Sequence, residues 1–147
     1  MNALLIRKLE KGDAKDVSRI FAAITKTKAS INCMQVLEEQ AEREEDVSFV
    51  AELEGKVVGF MISDIISGGY GLLNKSAWIV LFGVDPEFMG QGIGKKLAQE
   101  IYKVCVEKGI KNIYTTVRWD ATDLLSFFKT LGFDRSNFIN LEKSLNT

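Results

Sequence analysis

Residues 78–108 of this chain read WIVLFGVDPEFMGQGIGKKLAQEIYKVCVEK, and this stretch decides the fold. Its first seven residues are almost all apolar, which is typical of a strand covered on both faces. Asp85 and Pro86 end the strand, because proline has no N–H to donate to a sheet. Apolar residues then recur at helical spacing from Ile93 to Cys105. The stretch predicts a buried strand, a tight loop and an amphipathic helix.

Three glycines, Gly90, Gly92 and Gly94, occupy alternate positions in the predicted loop. A loop that leads directly into a helix presents backbone N–H groups at the positive end of the helix dipole, and phosphate is the commonest ligand of such a site. Glycine also lets a ligand approach the backbone closely. Lys95 and Lys96 add positive charge at the start of the helix. The loop is therefore predicted to bind an anion, and a tight turn without a ligand is the alternative.

Two common phosphate-binding motifs do not match this loop. A Walker loop requires Lys followed by Ser or Thr, whereas Lys95 is followed by Lys96. A dinucleotide fingerprint requires Gly-x-Gly-x-x-Gly, whereas the spacing here is Gly-x-Gly-x-Gly. The segment instead resembles the acyl-CoA loop of the GNAT acetyltransferase superfamily, which is Arg or Gln, two residues, Gly, one residue, then Gly or Ala, after a Val-x-Pro strand end. Residues 89–94, MGQGIG, fit this pattern except at Met89, which replaces Arg or Gln.

The rest of the chain alternates between strand and helix patterns. Further strands are predicted at residues 3–9, 47–53, 56–66, 110–119 and 138–145, and further helices at about residues 13–24, 30–43 and 121–131. Asp13 is the predicted N-cap of the first helix, and Glu54-Gly55 predicts a hairpin turn. A helix between the fourth and fifth strands implies a parallel crossover.

The order β-α-α-β-β-β-α-β-α-β is similar to that of the GNAT fold. The resemblance therefore implies an α/β fold with a mixed central sheet of about six to seven strands, in a single N-acetyltransferase domain spanning residues 1–147. A second motif supports it, because many members carry an aromatic pair and then Gly-Phe in and after the last helix. Residues 127–133, FFKTLGF, match the end of that motif.

The composition limits the classes of function that the chain can have. The chain has 147 residues, of which 46% are hydrophobic and 27% charged, as in soluble globular domains. A net charge of -1 argues against nucleic acid as a main partner. Short apolar runs and the lack of a signal-peptide pattern predict a cytoplasmic protein that does not enter a membrane. The chain has no His, which excludes a His-based triad and a His-rich metal site, and we expect no metal.

The resemblance implies transfer of an acetyl group from acetyl-CoA to a primary amine by direct attack. The pantetheine arm would pair with the fourth strand, Gly83 would form a bulge, and the N–H of Phe82 or Val84 would stabilise the oxyanion. The implied cofactor-binding residues are Leu81, Phe82, Gly83, Val84, Met89, Gly90, Gln91, Gly92, Ile93, Gly94, Lys95 and Phe128.

The proton-transfer residues depart from the family pattern. Phe128 stands where many relatives have a Tyr that protonates the departing thiolate, and Ala121 stands where they have an Asn. The candidate catalytic residues are Asp120, Tyr70 and Asp64, with Ser126 and Tyr114 as further replacements for the acid. Asp64 would act on the amine through water. The alternative for Asp120 is a structural role as helix N-cap.

The partner predictions depend on two further features. The acidic run at residues 38–46 is either a solvated helix end or a surface that attracts a cationic acceptor. Only fourteen residues follow Phe133, so that either the acceptor side is unusually open or a second subunit covers it, and we predict a homodimer. Two other functions stay open at this point: a degenerate acyl-CoA-binding sensor or structural module, and a phosphate binder that does not use CoA.

Overall fold

The computed structural model describes residues 3–25, 31–43 and 47–145, without the side chains of residues 31–33. The chain forms two compact units, Met1–Thr115 and Thr116–Thr147, which are described in turn. The strands of the first unit are β1 (Leu4–Lys8), β2 (Val47–Leu53), β3 (Lys56–Ser67), β4 (Lys75–Val84) and β5 (Ile113–Thr115). Its helices are α1 (Ala14–Thr25), α2 (Ile31–Glu42) and α3 (Ile93–Glu107), and short 3₁₀ turns occur at Lys11–Asp13, Gly69–Gly71 and Pro86–Phe88.

The five strands form one mixed sheet in the order β1-β2-β3-β4-β5. Strands β1 to β4 pair antiparallel, and β4 pairs parallel with β5 across the α3 crossover, as predicted. The hairpin between β2 and β3 is also confirmed. Glu54 and Gly55 have φ values of 52° and 80°, and positive φ at both central residues is the signature of a type I′ turn. This turn fixes the register in which Leu53 faces Lys56.

Helices cover both faces of this sheet. Phe60 and Ile62 of β3 belong to a buried cluster that includes residues of α1 and α2. On the opposite face, a Cβ atom placed on Gly59 would lie 2.9 Å from Ile93 of α3. Successive strand residues point to opposite faces, so α1 and α2 pack on one side and α3 on the other. The glycine at position 59 lets the start of α3 approach β3 closely.

The second unit contains one helix, α4 (Thr122–Thr130). Phe128 is its buried residue and makes edge contacts with Phe127 and Phe133, with ring centroids 5.2 Å apart in each case. Across residues 3–25, 31–43 and 47–145, no helix is both long and apolar enough to span a membrane.

Three predictions about the sheet need correction. The described residues contain five strands rather than six to seven, and residues 138–145 form no strand, so the predicted element order is not confirmed at its end. Ile139, Leu141 and Leu145 are 75%, 88% and 80% exposed in this segment. We predicted a strand here, but a strand requires a neighbour to accept its backbone hydrogen bonds.

The fifth strand is also shorter than predicted. We expected residues 110–119, whereas β5 comprises only Ile113–Thr115. Its pairing with β4 ends at the pair Ile79–Thr115, where the Thr115 hydroxyl donates to the Ile79 carbonyl at 3.0 Å. The next residue of β4, Val80, is the extra residue of a register shift. A bulge at this point changes the direction of the β4 backbone groups and explains why the parallel pairing stops.

Asp13 has a different role from the predicted N-cap. Its carboxylate accepts the Glu10 backbone N–H at 2.8 Å and two hydrogen bonds from the Arg7 guanidinium, both at 2.8 Å. Arg7 also donates to Glu52 of β2 at 3.2 Å. The hydrogen bonds to Asp13 and Glu52 raise the pKa of Arg7 far above its usual value. Asp13 therefore links the turn before α1 to the edge of the sheet.

Candidate functional site

The glycine loop starts from a fixed point at Asp85, the first residue after β4. The Asp85 N–H donates to the Val58 carbonyl at 2.8 Å, which continues the β3–β4 ladder by one residue. The Asp85 carboxylate accepts the Glu87 N–H at 3.0 Å, and the Asp85 carbonyl accepts the Phe88 N–H at 2.8 Å. These bonds close the turn that Pro86 opens. The entry to the loop is thus determined by a buried aspartate.

The two loop glycines before the helix have left-handed backbone conformations. Gly90 has a φ of 81° and Gly92 a φ of 77°, which residues with side chains rarely adopt. A Cβ atom placed on either glycine would meet nothing within 4 Å. Glycine is therefore required here by the backbone and not by packing against the protein. The space outside the loop is open to a ligand.

Gly92 is the N-cap of α3, and no side chain caps the helix. The first bond of the helical ladder runs from the Lys96 N–H to the Gly92 carbonyl at 3.1 Å. The N–H groups of Ile93, Gly94 and Lys95 precede that ladder and point toward the helix N-terminus. The positive end of the helix dipole and the exposed Lys95 side chain add to their attraction for an anion.

Beside the loop, the last residues of β4 extend beyond the pairing with β5. That pairing ends at Ile79, whereas β4 continues to Val84. The Asp85 N–H faces β3, and the backbone groups of successive strand residues point in opposite directions. The backbone groups of Phe82 and Val84 therefore point away from β3, toward the side on which β5 pairs with the earlier part of β4. These are the two residues predicted to offer an oxyanion N–H. They lie on the edge of β4 next to the loop.

The bulge in β4 is at Val80, and the expectation of a bulge at Gly83 is wrong. Gly83 pairs regularly with Phe60. A Cβ atom at Gly83 would lie 2.7 Å from Ile24 of α1 and 2.9 Å from the Phe60 ring. The glycine is therefore explained by close packing on the α1 face. The bulge at Val80 changes which β4 residues direct their backbone groups away from β3.

Two of the candidate catalytic residues, Tyr70 and Asp64, lie around the same residue, Trp78. Asp64 is the strand partner of Trp78, and the Tyr70 ring centroid lies 5.0 Å from that of Trp78. Tyr114 stacks on Trp78 with a centroid distance of 4.5 Å. Tyr70 has a φ of 55° and is 69% exposed. A left-handed conformation in a non-glycine residue costs about 1 kcal/mol and is common at functional sites.

Asp64 is held by two side chains of the α2 segment. Gln40 Nε2 donates to Asp64 Oδ1 at 2.6 Å, and Arg43 Nη1 lies 3.5 Å from the same oxygen. Sequence reasoning missed both partners, although their spacing of three residues would place them on one face of a helix. Trp78 was interpreted only as the start of a buried strand. A Gly-Gly-Tyr-Gly loop precedes Trp78 by a few residues in the sequence. This is the signal that would have suggested an aromatic cluster.

The third candidate, Asp120, belongs to the second unit. Its carboxylate accepts hydrogen bonds from Arg118 Nε at 3.0 Å and Nη2 at 3.1 Å. The hydrogen bond from Arg118 lowers the pKa of Asp120. A carboxyl group with a lowered pKa is a poor proton donor near neutral pH. The N-cap of α4 is Ala121 and has no side-chain cap, so Asp120 does not take the structural role considered as its alternative.

The predicted cofactor residues lie on β4, on the glycine loop with the start of α3, and on α4. Leu81, Phe82, Gly83 and Val84 follow one another on β4, and the loop residues Met89, Gly90, Gln91 and Gly92 lead to Ile93, Gly94 and Lys95 of α3. Met89 and Gln91 are exposed, whereas Leu81 packs against the core. Phe128 lies in the second unit and is 3% exposed. Within the described ranges, no group of His, Cys, Asp and Glu residues could hold a metal ion.

The acidic run at residues 38–46 lies partly on α2. Glu44, Glu45 and Asp46 lie outside the described residues. Near the end of α2, Lys11 lies 3.4 Å from Glu42 and 4.0 Å from Glu38. Two of the acidic side chains are therefore already close to a cation, which reduces the charge available to attract a substrate.

A model of the acetyltransferase (GNAT) family matches residues 9–133. The chain belongs to this family. The matched segment includes β4, the glycine loop, α3 and β5, and it continues through α4. The membership that the loop residues suggested is confirmed, together with the α/β fold and its mixed sheet.

Several solved structures resemble this GNAT chain over nearly its whole length. An aminoglycoside acetyltransferase, meta-AAC0020, from an uncultured soil metagenomic sample, in complex with sisomicin, is 26% identical, has a TM-score of 0.80 and aligns over 97% of both chains. Aminoglycoside N-acetyltransferase AAC(6')-Iy in complex with CoA is 17% identical, with a TM-score of 0.83 over 98% of this chain and 96% of that one. A transcriptional regulator from Bacillus halodurans C-125 is 20% identical, with a TM-score of 0.82 over 97% and 100%. The last two, below 25% identity, show the fold alone.

Proposed function

We propose that residues 1–147 act as one N-acetyltransferase domain that transfers an acetyl group from acetyl-CoA to a primary amine, on a small molecule or a protein. The observation that carries this proposal is the glycine loop at the N-terminus of α3, which lies beside the free edge of β4. The N-cap Gly92 leaves the first amides of α3 without a side-chain cap, and the space around Gly90 and Gly92 is open. Family membership supplies the reaction class.

The residues present fit the diphosphate of CoA. Backbone amides of Ile93, Gly94 and Lys95 would donate to phosphate oxygens, and the Lys95 ammonium would add a charge. A backbone site does not depend on the side chain at position 89, so Met89 in place of Arg or Gln removes little of this binding. The Asp85 turn holds the loop in place before any ligand arrives, which lowers the entropy cost of binding.

The free edge of β4 would hold the rest of the cofactor. Phe82 and Val84 direct backbone groups to this edge, where an amide-containing arm can pair as a further strand does. When bound, acetyl-CoA supplies a thioester whose carbonyl carbon accepts the attacking amine. An N–H of Phe82 or Val84 would stabilise the negative charge that develops on the carbonyl oxygen. Orienting the amine beside that group supplies much of the rate increase.

Proton transfer falls to residues around Trp78. The exposed Tyr70 hydroxyl is the group we propose as donor to the departing thiolate, because Phe128 has no proton to give. Asp64 would take a proton from the amine through water, with Gln40 and Arg43 holding its carboxylate in place. Asp120, whose pKa is lowered by its hydrogen bond from Arg118, is a less suitable acid than Tyr70. General acid–base help of this kind is worth about 10²–10⁴-fold.

The acceptor is proposed to be a cationic amine. The acidic end of α2 and the 26% identical aminoglycoside acetyltransferase both favour this class. We further propose a cytoplasmic location and a homodimer, the latter because Ile139, Leu141 and Leu145 are exposed apolar side chains that a second subunit would cover. Size-exclusion chromatography with light scattering tests the dimer, and a monomer at micromolar concentration would exclude it.

A second candidate function is an acyl-CoA-binding module without turnover. Phe128 favours it, because this buried phenylalanine occupies the position of the family's proton donor. The module would use the same loop and the same β4 edge. It differs from the enzyme only in what happens at the thioester.

One experiment separates these functions. Calorimetry measures acetyl-CoA binding, and release of free CoA is then followed with polyamines, lysine, aminoglycosides and peptides as acceptors. The enzyme predicts binding and acceptor-dependent CoA release, whereas tight binding without release for any acceptor supports the module. ATP and NAD serve as controls in a thermal-shift assay. Stabilisation by either of them, without stabilisation by acetyl-CoA, would contradict both functions and support a phosphate binder of another kind.

A further inference from the structure

A cavity of about 380 Å³ lies at the end of the first unit that is remote from the glycine loop. Its walls come from the start of β4, the residues after α3 and the start of β5, including Lys75, Lys108 and Tyr114. From Gly92 to Lys108, α3 advances by about 24 Å at 1.5 Å per residue. The cavity is therefore a separate place from the loop proposed for the CoA diphosphate.

The side chains of this cavity are strongly biased toward positive charge. Lys75, Lys108 and Lys111 line it, and none of its ten lining residues, all within the described chain, is Asp or Glu. Asn74 and Asn112 add amide donors. This bias is local, because the whole chain carries a net charge of -1. Three ammonium groups around one concavity concentrate an anion.

The helix end that borders the cavity does not offset this charge. The carbonyl groups at a helix C-terminus carry partial negative charge that would repel an anion. Here the Val104 carbonyl accepts the Lys108 N–H at 3.0 Å, the Cys105 carbonyl accepts the Ile110 N–H at 2.9 Å, and the Val106 carbonyl accepts the Gly109 N–H at 3.1 Å. These bonds occupy the last carbonyls of α3, as in a capped helix end. The lysines therefore dominate the local field.

The cavity is separated from the β4 backbone groups that are proposed to act on the thioester, although Tyr114 in its wall stacks on Trp78, beside the residues proposed for proton transfer. Three consecutive pairs, from Ala77–Ile113 to Ile79–Thr115, join β4 to β5 between the cavity and the free edge of β4. From Lys75 to Phe82 the strand spans about 23 Å at 3.3 Å per residue. A ligand in the cavity thus does not reach the backbone groups proposed to act on the thioester.

We propose that this cavity is a second ligand site, which binds a small polyvalent anion of the phosphate class. Its volume lies at the lower end of the range of about 300–1,000 Å³ for small-molecule sites, which suits a compact anion. Lys108 and Lys111 would pair with the oxygens of the anion, and Asn74 and Asn112 would donate from the rim. Neither the family membership nor the proposed acetyl transfer requires such a site.

Tyr114 provides a way to observe binding. It lines the cavity and stacks on Trp78 with a centroid distance of 4.5 Å, so an anion beside Tyr114 changes the environment of that indole. The second tryptophan, Trp119, is 87% exposed. It is replaced by Phe, so that the emission comes from Trp78. Inorganic pyrophosphate is titrated into this protein with Gly92→Glu added, so that the glycine loop cannot bind the probe. Calorimetry on the same protein provides an independent reading.

We expect a saturable change in Trp78 emission and a matching heat of binding. Lys108→Gln with Lys111→Gln should weaken pyrophosphate binding about fivefold, since each partly exposed ion pair contributes about 0.2–1 kcal/mol. The matched control is Lys103→Gln with Lys129→Gln, two exposed lysines outside the cavity, which should leave the affinity within about twofold. Sodium chloride at equal ionic strength controls for screening.

Three results would overturn the site: neither fluorescence nor calorimetry shows saturable binding, sodium chloride reproduces the change, or the control pair weakens binding as much as the cavity pair. Acetyl-CoA binding by the chain without Gly92→Glu is measured separately. Loss of pyrophosphate binding with intact acetyl-CoA binding removes the second site alone. The reverse outcome removes the proposed function and leaves the second site in place.

Discussion

The guanidinium of Arg19, on α1, lies 3.2 Å from the carboxylate of Asp85, the buried residue that ends β4. Arg19 also donates to the Val57 carbonyl at 3.4 Å. Asp85 in turn caps the turn that leads into the glycine loop. One ion pair therefore joins the helix on one face of the sheet to the proposed cofactor loop, which starts at the end of β4.

Replacement of Asp85 by Asn should lower the free energy of unfolding by about 1–2 kcal/mol, because Arg19 keeps its charge and loses its buried partner. A less ordered loop should weaken acetyl-CoA binding about fivefold, which corresponds to about 1 kcal/mol. Urea denaturation and calorimetry measure the two effects. Asp16→Asn is the control, because Asp16 is an exposed partner of the same arginine at 3.7 Å. Equal effects of both variants would contradict a special role for Asp85.

Replacement of Gly92 by Ala should cost about 1 kcal/mol of stability, because a side chain at a φ of 77° is strained. It should also weaken acetyl-CoA binding, since the new methyl group enters the space proposed for the diphosphate. Gly109→Ala is the matched control: this glycine has a φ of 75° and equally open surroundings, at the other end of α3. It should cost similar stability and leave acetyl-CoA affinity unchanged. A similar loss of affinity in both variants would show that strain, and not the site, is responsible.

Replacement of Asp13 by Asn should lower the free energy of unfolding by about 2–3 kcal/mol, because it removes a paired carboxylate and leaves the mostly buried Arg7 cation beside a neutral side chain. Glu10→Gln tests the same arginine through an exposed partner at 3.8 Å and should change stability by less than about 0.5 kcal/mol. Urea denaturation of both variants measures the two changes in the free energy of unfolding. A small effect of Asp13→Asn would mean that Glu52 alone holds Arg7.

Replacement of Tyr70 by Phe should lower kcat by about 10²-fold with little change in KM, because it removes a proton donor and keeps the ring beside Trp78. Steady-state CoA release with a saturating amine measures this. Tyr102→Phe, in α3, removes another phenol and should leave kcat within about threefold. If Tyr70→Phe behaves like the control, Tyr70 is not the acid.

Stability should fall at alkaline pH. Burial raises the pKa of both the Tyr102 phenol and the Cys105 thiol. Their ordinary pKa values are about 10 for Tyr and 8.5 for Cys, so the unfolded chain releases these protons first. Their contribution is complete below about pH 8.5 and is lost as the pH rises through the folded values. Urea denaturation at neutral and alkaline pH tests this, and Tyr102→Phe should flatten the decline.

The sequence was most informative where local chemistry dictates structure. Pro86 and the glycines at 90 and 92 must interrupt regular structure, and Glu54-Gly55 must turn, whatever surrounds them. These features predicted β4, the loop, α3 and the hairpin. The same local signals identified the glycine loop as the proposed cofactor site.

What the sequence did not reveal depends on contacts between distant residues. The bulge falls at Val80 because of the β3–β4 register, and Gly83 is small because of Phe60 and Ile24. Neither relationship leaves a local pattern. Residues 138–145 were predicted to form a strand, yet a local sequence pattern cannot supply the neighbour that a strand needs. Likewise, the partners of Asp64 are Gln40 on α2 and Arg43 directly after it, more than twenty residues away along the chain.

The glycines at positions 59 and 83 have a joint consequence for the architecture. They lie on adjacent rungs of the β3–β4 ladder and leave opposite faces of the sheet without a side chain, one beneath Ile93 and the other beneath Ile24. Two helices therefore pack closely on the sheet at this point, α3 on one face and α1 on the other. A methyl group added at either glycine would push the adjacent helix away from the sheet. At Gly59 it would displace the first turn of α3, which carries the loop amides.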